Sequence, residues 1–225
     1  MDTGANVTIP RRGQPSGELR VVGGMQSWRL GSWQNHPASA EELLVDARFE
    51  GVIPRVDETG GVFTVRYGVW DGWWRRQHAE VQLNEALPWV VDIGGGVQQL
   101  RADLRNCRLR AFRVSGGAQD VVLELGDPRG VVPIEIGGGV ANLTIMRPKG
   151  SALAVRVRGG AQDLQLDQTA LGSVGGGIAW QSRDEGSDRY ELHIGGGVAH
   201  LLVGSSSAGC SAPDPSGAAS LVACF

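Results

Sequence analysis

Trp70-Asp71-Gly72-Trp73-Trp74-Arg75-Arg76 holds more potential chemistry than any other stretch of this 225-residue chain. Three of its seven tryptophans fall within five positions, next to two arginines and on a glycine-bearing turn. Tryptophan takes a large apolar area out of water while keeping one hydrogen-bond donor, and arginine adds a planar cation. Both types are enriched where proteins meet partners. Trp70, Trp73, Trp74, Arg75 and Arg76 are therefore the residues the sequence marks for partner binding. A protein is the first choice of partner, ahead of a lipid surface or a sugar. The plain alternative is that the rings pack over a flank of the fold and keep its edge dry.

Other residues capable of chemistry are sparser. Asp120 and Asp163 each stand third after a glycine pair, Gly116-Gly117 and Gly159-Gly160. With successive repeats stacked, they lie two coils apart, ~9–10 Å, which is near the upper limit for an inverting pair of sugar-cleaving carboxylates. Equivalent positions elsewhere carry Gln99, Asn142 and His200, so turn chemistry accounts for the pattern as well. Among His36, His78, His193 and His200, only the last two flank one glycine cluster, and protein metal sites want three or more ligands. No metal and no cofactor is expected. The glycine runs lack the Gly-Lys-Ser/Thr ending of a phosphate loop and open no helix. Asp2-Thr3-Gly4-Ala5 has the residue order of an aspartic-protease turn, but neither a preceding strand nor a facing second carboxylate accompanies it. No serine or cysteine sits in a nucleophile elbow. The sequence thus reads as a non-enzymatic chain, with a polysaccharide-binding or polysaccharide-active protein as the alternative.

Arg101, Arg105, Arg108, Arg110 and Arg113 crowd one short stretch and form either an anion ladder or a solvated strand face. The whole chain carries 21 basic and 24 acidic residues, a net charge of −3. That balance favours the solvated face and gives no electrostatic case for nucleic acid. Glycine numbers 35 in a chain that is 41% hydrophobic, too apolar for a disordered polymer and without the triplet period of collagen. No basic stub precedes an apolar run, and none of the apolar runs approaches the ~20 residues of a membrane span. The expected location is the cytoplasm, with association to the envelope through a partner left open. Cys107, Cys210 and Cys224 are too few for a disulfide framework; Cys210 and Cys224 are expected reduced in the cytoplasm, the alternative being that they close a C-terminal loop in an oxidising compartment.

The elements that must position these residues follow from a repeat. Glycine clusters end at residues 96, 117, 139, 160, 177 and 197, so the first three steps are 21, 22 and 21 and the next two 17 and 20. Most are followed by the pattern Val/Ala-x-x-Leu/Val, as in Val97–Leu100, Ala118–Val121, Val140–Leu143, Ala161–Leu164 and Val198–Leu201. Apolar residues alternate with polar ones, as in Ile134-Glu135-Ile136 and Val155-Arg156-Val157, which is strand periodicity with one face buried. Two short strands per ~21 residues with glycines at fixed phase describe an all-β stacked solenoid, in which each coil covers its neighbour's apolar face. The glycines are expected to supply left-handed corners and close backbone approach. Val45–Glu50 and Gly61–Tyr67 read as two further strands around a turn, and Ser39–Leu44 could start one short helix. Residues 1–17 read as a flexible lead-in and 18–203 as the solenoid domain with a Trp-rich insertion near 69–89. Residues 204–225 read as a Gly/Ser/Ala-rich linker with a candidate cap strand at Leu221–Phe225.

The segments Trp89–Val97, Ile134–Val140 and Leu192–Val198, with Pro-x-Gly turns at Asp127–Gly130 and Arg147–Gly150, resemble the toast-rack family of bacterial β-solenoid domains, of the adhesin and cell-envelope-stress-response type. The resemblance is clearest over residues 88–203. It implies a single-stranded, right-handed β-helix-like rack and a sensor, scaffold or protein-interaction role near the envelope. It carries no site residues across. Open solenoid ends add the option of a homo-oligomer, or a self-assembling structural unit, joined through those ends.

Overall fold

The alternation seen in the sequence sorts side chains to two sides of each strand. Leu19 and Val21 turn inward from Arg20, and Ile134 and Ile136 turn inward from Glu135. A computed structural model describes residues 4–33, 43–68, 77–184 and 186–206. Along the chain these form β1 (Gly4–Pro10), β2 (Gly17–Val22), β3 (Met25–Ser32), β4 (Leu43–Gly51), β5 (Arg55–Thr59), β6 (Val62–Arg66), β7 (Gln77–Leu83), β8 (Pro88–Ile93), β9 (Val97–Leu104) and β10 (Arg108–Val114). They continue as β11 (Ala118–Leu125), β12 (Val131–Ile136), β13 (Val140–Pro148), β14 (Ala152–Val157), β15 (Ala161–Leu166), β16 (Thr169–Leu171), β17 (Ile178–Gln181), β18 (Arg189–Ile194) and β19 (Val198–Ser206). The fold is all-β, with no helix among the described residues.

Two mixed sheets enclose one core. Sheet A runs β1-β4-β7-β3-β9-β11-β13-β19-β15-β16, and sheet B runs β17-β14-β18-β12-β10-β8-β2-β6-β5. A glycine-bearing corner joins a strand of sheet B to the next strand in sheet A, giving the rungs β2/β3, β8/β9, β10/β11, β12/β13, β14/β15 and β18/β19. Rungs pair in parallel, and both sheets close at both ends with antiparallel strands. Inside, Trp28, Leu100, Val121, Leu143, Leu201 and Leu164 share one register, each fully buried on its neighbours. Burying side chains of this size stabilises by about 1.5–3 kcal/mol each relative to exposure.

The stacking order differs from the one the glycine spacing predicts. The register follows the glycine repeat from Val97 to Ala118 to Val140, each pairing with the next in the chain. Val140 then passes over Ala161 and pairs with Val198, and Val198 pairs back with Ala161. The last rung, β18/β19, is therefore inserted between β12/β13 and β14/β15. The other end shows the same device, because β2/β3 lies between β6/β7 and β8/β9. Glycine phase specifies the shape of a rung but not which rung it neighbours.

Smaller differences follow the same lines. Residues 4–10, expected in a flexible lead-in, form β1 against β4. Gln77–Leu83, expected inside the insertion, form β7, a regular strand of sheet A. Leu43 and Leu44, the end of the candidate helix, begin β4, while residues 34–42 lie outside the described ones. Val45–Glu50 and Val62–Arg66 are strands, but of different sheets.

The corner glycines are needed for room rather than for backbone handedness. A Cβ on Gly138 would stand 2.7 Å from the backbone nitrogen of Gly117 on the neighbouring rung, closer than any real Cβ packs. Of the paired corner glycines in the six rungs, only Gly23 has a positive φ. The adjoining amides run on as an inter-rung ladder, with Gly116 N–H donating to Gly95 O, Gly138 to Gly116 and Gly196 to Gly138.

Candidate interaction surface

Each corner fixes the phase of the strand that follows it, so residues at equal distance past the glycines line up across sheet A. One outward row reads Glu50, His78, Ser27, Gln99, Asp120, Asn142, His200 and Asp163. The next reads Asn6, Arg48, Glu80, Arg29, Arg101, Val122, Thr144, Leu202 and Gln165. Neighbouring strands lie about 4.8 Å apart. The first row is knitted by side-chain bonds: Asn142 Nδ2 donates to Asp120 Oδ1 at 2.6 Å, and Ser27 Oγ lies 3.3 Å from His78 Nδ1. His200 Nδ1 stands 3.3 Å from Asp163 Oδ2.

Two shallow depressions dent this face. One, of about 910 Å³, is floored by Gly31 and rimmed by Arg29, Arg48, Arg101, Asp46, Glu80, Asp103 and Glu124. The other, of about 560 Å³, shares Arg29 and Arg101 and extends over Gln99, Asp120 and Asn142. Arg29 and Arg101 occupy the same register on adjacent strands, and like charges so placed oppose each other. At the rim, Arg105 donates from Nε to Asp103 Oδ1 at 2.9 Å and from Nη2 to Oδ2 at 2.6 Å, and its Nε also lies 3.1 Å from Glu124. The hydrogen bonds from Arg105 hold the Asp103 carboxyl below its ordinary pKa, and the same contact raises Arg105. The face thus offers fixed charges of both signs over a broad, open area.

The residues marked in the sequence fall in several places. Trp70, Trp73, Trp74, Arg75 and Arg76 lie outside the described residues. Their flanks, Tyr67, Gly68 and Gln77, border a third depression of about 950 Å³ along the glycine edge, beside Gln26, Gln98 and Gln119. Asp120 and Asp163 do share a row, but three strand steps separate them because β19 intervenes. That is about 14 Å, beyond the ~6.5–9.5 Å of an inverting pair. The inserted β19 thus makes the separation three strand steps where the glycine spacing predicts two coils. His193 faces out from sheet B between Glu135 and Arg156, on the opposite sheet from His200, so the pair does not converge. The five arginines do not form one ladder: Arg101 is on sheet A, Arg105 is at the turn, and Arg113 on sheet B pairs with Glu135 at 3.1 Å. Among the described residues, no three His, Cys, Asp or Glu side chains gather as a metal-binding group. Cys107 is buried, which pushes its thiol up to about 12. Arg29, Arg48 and Glu80 do not stand out in the sequence. Their signal, a charged residue flanked by inward apolar ones, is shared by every solvated strand.

The geometry defines a stacked-strand β-rack whose usable chemistry is spread over a sheet face instead of being gathered in a cavity. The chain belongs to the toast-rack family: the family described as the N-terminal domain of toast_rack, DUF2154, matches it over residues 14–146. The structure of a candidate cell adhesion protein from Clostridium sporogenes ATCC 15579 is similar over 92% of this chain and 100% of that one, with a TM-score of 0.69 and 15% identity, and so shares the fold. A candidate adhesin from Bacteroides fragilis NCTC 9343 aligns over 89% and 97% of the two chains at 5% identity, but its TM-score of 0.21 carries no weight. No curated protein matches the sequence.

Proposed function

We propose that this chain is a non-enzymatic interaction module of adhesion type, and that the outer face of sheet A is its working surface. The carrying observation is the row Arg48-Glu80-Arg29-Arg101, which crosses four adjacent strands and is bordered by a second, hydrogen-bonded polar row. A rigid, mixed-charge array at strand spacing gives a protein partner orientation and specificity more readily than it gives a small molecule enclosure. Family membership and the adhesion description of the Clostridium structure support the reading. The family likeness extends the proposal to a sensor or scaffold in envelope stress signalling. A glycan is the second choice of ligand, favoured by the amide side chains of Gln98 and Gln119 along the glycine edge.

The test is capture from a bacterial envelope fraction by immobilised wild type beside Arg29→Gln/Arg101→Gln. A specific protein held by the wild type and lost by the variant, with equal melting temperatures, is the expected result. Equal capture by both overturns the choice of face. Release of reducing ends from a panel of acidic and neutral glycans overturns the non-enzymatic reading.

A further inference from the structure

The described strands leave four sheet edges, and three of them are blunted. β5 is five residues long and carries Arg55, Asp57 and Glu58; β16 has three residues and β17 four. Short or charged edge strands are the usual guards against edge-to-edge pairing. β1 is neither short nor charged, and its one guard, Pro10 at a register shift, stands at the very end of the strand and leaves Gly4–Ile9 open. It is seven residues long, Gly-Ala-Asn-Val-Thr-Ile-Pro, with no charge, and no described strand pairs with its outer side.

Among the described strands, sheet A has ten against nine in sheet B, and β1 is the surplus one. Beyond β7, sheet A continues through β4 and β1, whereas beyond β6 sheet B has β5 alone. The inward side chains of β1, Ala5, Val7 and Ile9, consequently remain half-buried where those of inner strands are covered. The strand is also complementary to itself. Laid antiparallel on its own copy about Val7, it sets Val7 against Val7, Ala5 against Ile9 on the apolar side, and Asn6 against Thr8 on the polar side. Every one of those pairs is favourable or neutral across an antiparallel ladder, and no like charges meet. A twofold contact of this kind closes, because the same patch serves both copies.

We propose that β1 is a homodimerisation edge that joins two racks through an antiparallel β1–β1 pair centred on Val7, making sheet A continuous across the dimer. This goes beyond the partner-binding reading and stands without it, since the outer face of sheet A stays open in the dimer. Two double variants, both confined to outward positions, test it. Asn6→Lys/Thr8→Lys places lysine opposite lysine twice across the interface. Asn6→Glu/Thr8→Lys places opposite charges there, and within one chain sets glutamate beside Arg48 and lysine beside Asp46. Sedimentation equilibrium of the full chain reads the outcome, with circular dichroism melting as the check on folding.

The expected result is a wild-type mass twice 23.8 kDa. The double-lysine variant should dissociate at least about tenfold more readily, and the glutamate–lysine variant should dimerise at least as well as wild type. A wild type that stays monomeric through the concentration series overturns the proposal. So does a double-lysine variant that dimerises unchanged while folded. Open-ended growth beyond the dimer also overturns it, because that would indicate head-to-tail stacking through the β16/β17 end.

Discussion

Asp103 illustrates what single residues contribute to this surface. Arg105 holds its carboxyl ionised below the usual carboxylate range, so the contact stabilises the fold above the pKa of the unfolded group, about 3.9. That contribution is lost as pH falls through the lower, folded value. Asp103→Asn should therefore melt slightly below wild type at pH 7, by a few degrees at most because the pair is partly exposed. The gap should close as pH drops below about 4. Thermal melts of both proteins between pH 7 and pH 2 check this, and a gap that widens in acid contradicts it. At this scale the sequence is least legible. Asp103, Arg29 and Glu80 look like any outward strand residue, and only register shows that they gather around Gly31. Asp120 and Asp163 do occupy equivalent positions, as their spacing from the glycines says, but their separation depends on β19, which follows both in the chain.

At the scale of elements the corners set the terms. Gly138→Ala would drive a methyl against the backbone of Gly116 and Gly117, which cannot step aside without opening the inter-rung ladder. A loss of about 1–3 kcal/mol or more is expected. Gly175→Ala meets nothing within 4 Å and should fall within about ±0.5 kcal/mol. Urea unfolding of the two variants decides the matter, and equal costs would mean the corners are looser than described. The opposite edge is held differently. Arg147, 1% exposed, donates from Nη1 and Nη2 to Asp167 at 3.0 and 2.8 Å and lies 3.3 Å from Asp184. Asp167 itself sits at φ +53° on the tight turn into β16. The rung unit is readable because alternation and glycine phase are local properties. The reason for the glycines is only half readable, since steric closeness and left-handed backbone leave the same residue in the sequence. The buried arginine is not readable, because its carboxylate partners come from segments 20 and 37 residues downstream.

At the scale of the molecule, the chain builds its rungs out of order and finishes by inserting β18/β19 into the interior. Local patterns recur at a nearly constant step and predict consecutive stacking, so this non-local exchange has no signature in the glycine spacing. It has a consequence for folding. A chain ending at Gln181 would lose the rung between β12/β13 and β14/β15, together with inward Tyr190, Leu192, Ile194, Leu201 and Val203. Such a chain should show no cooperative melt, whereas a consecutively stacked rack would merely lose an end. The continuous ladder that results is what gives sheet A an unbroken face, and with it the proposed role. The most direct measurement of that role is calorimetric titration of the captured partner into four proteins: wild type, Arg29→Gln/Arg101→Gln on sheet A, Arg20→Gln/Arg113→Gln on sheet B, and Trp73→Ala/Trp74→Ala. The account predicts binding at least about tenfold weaker, or about 1.4 kcal/mol, for the sheet A variant, with the sheet B variant unchanged. Equal weakening on both faces, or a loss confined to sheet B or to the tryptophans, would contradict it.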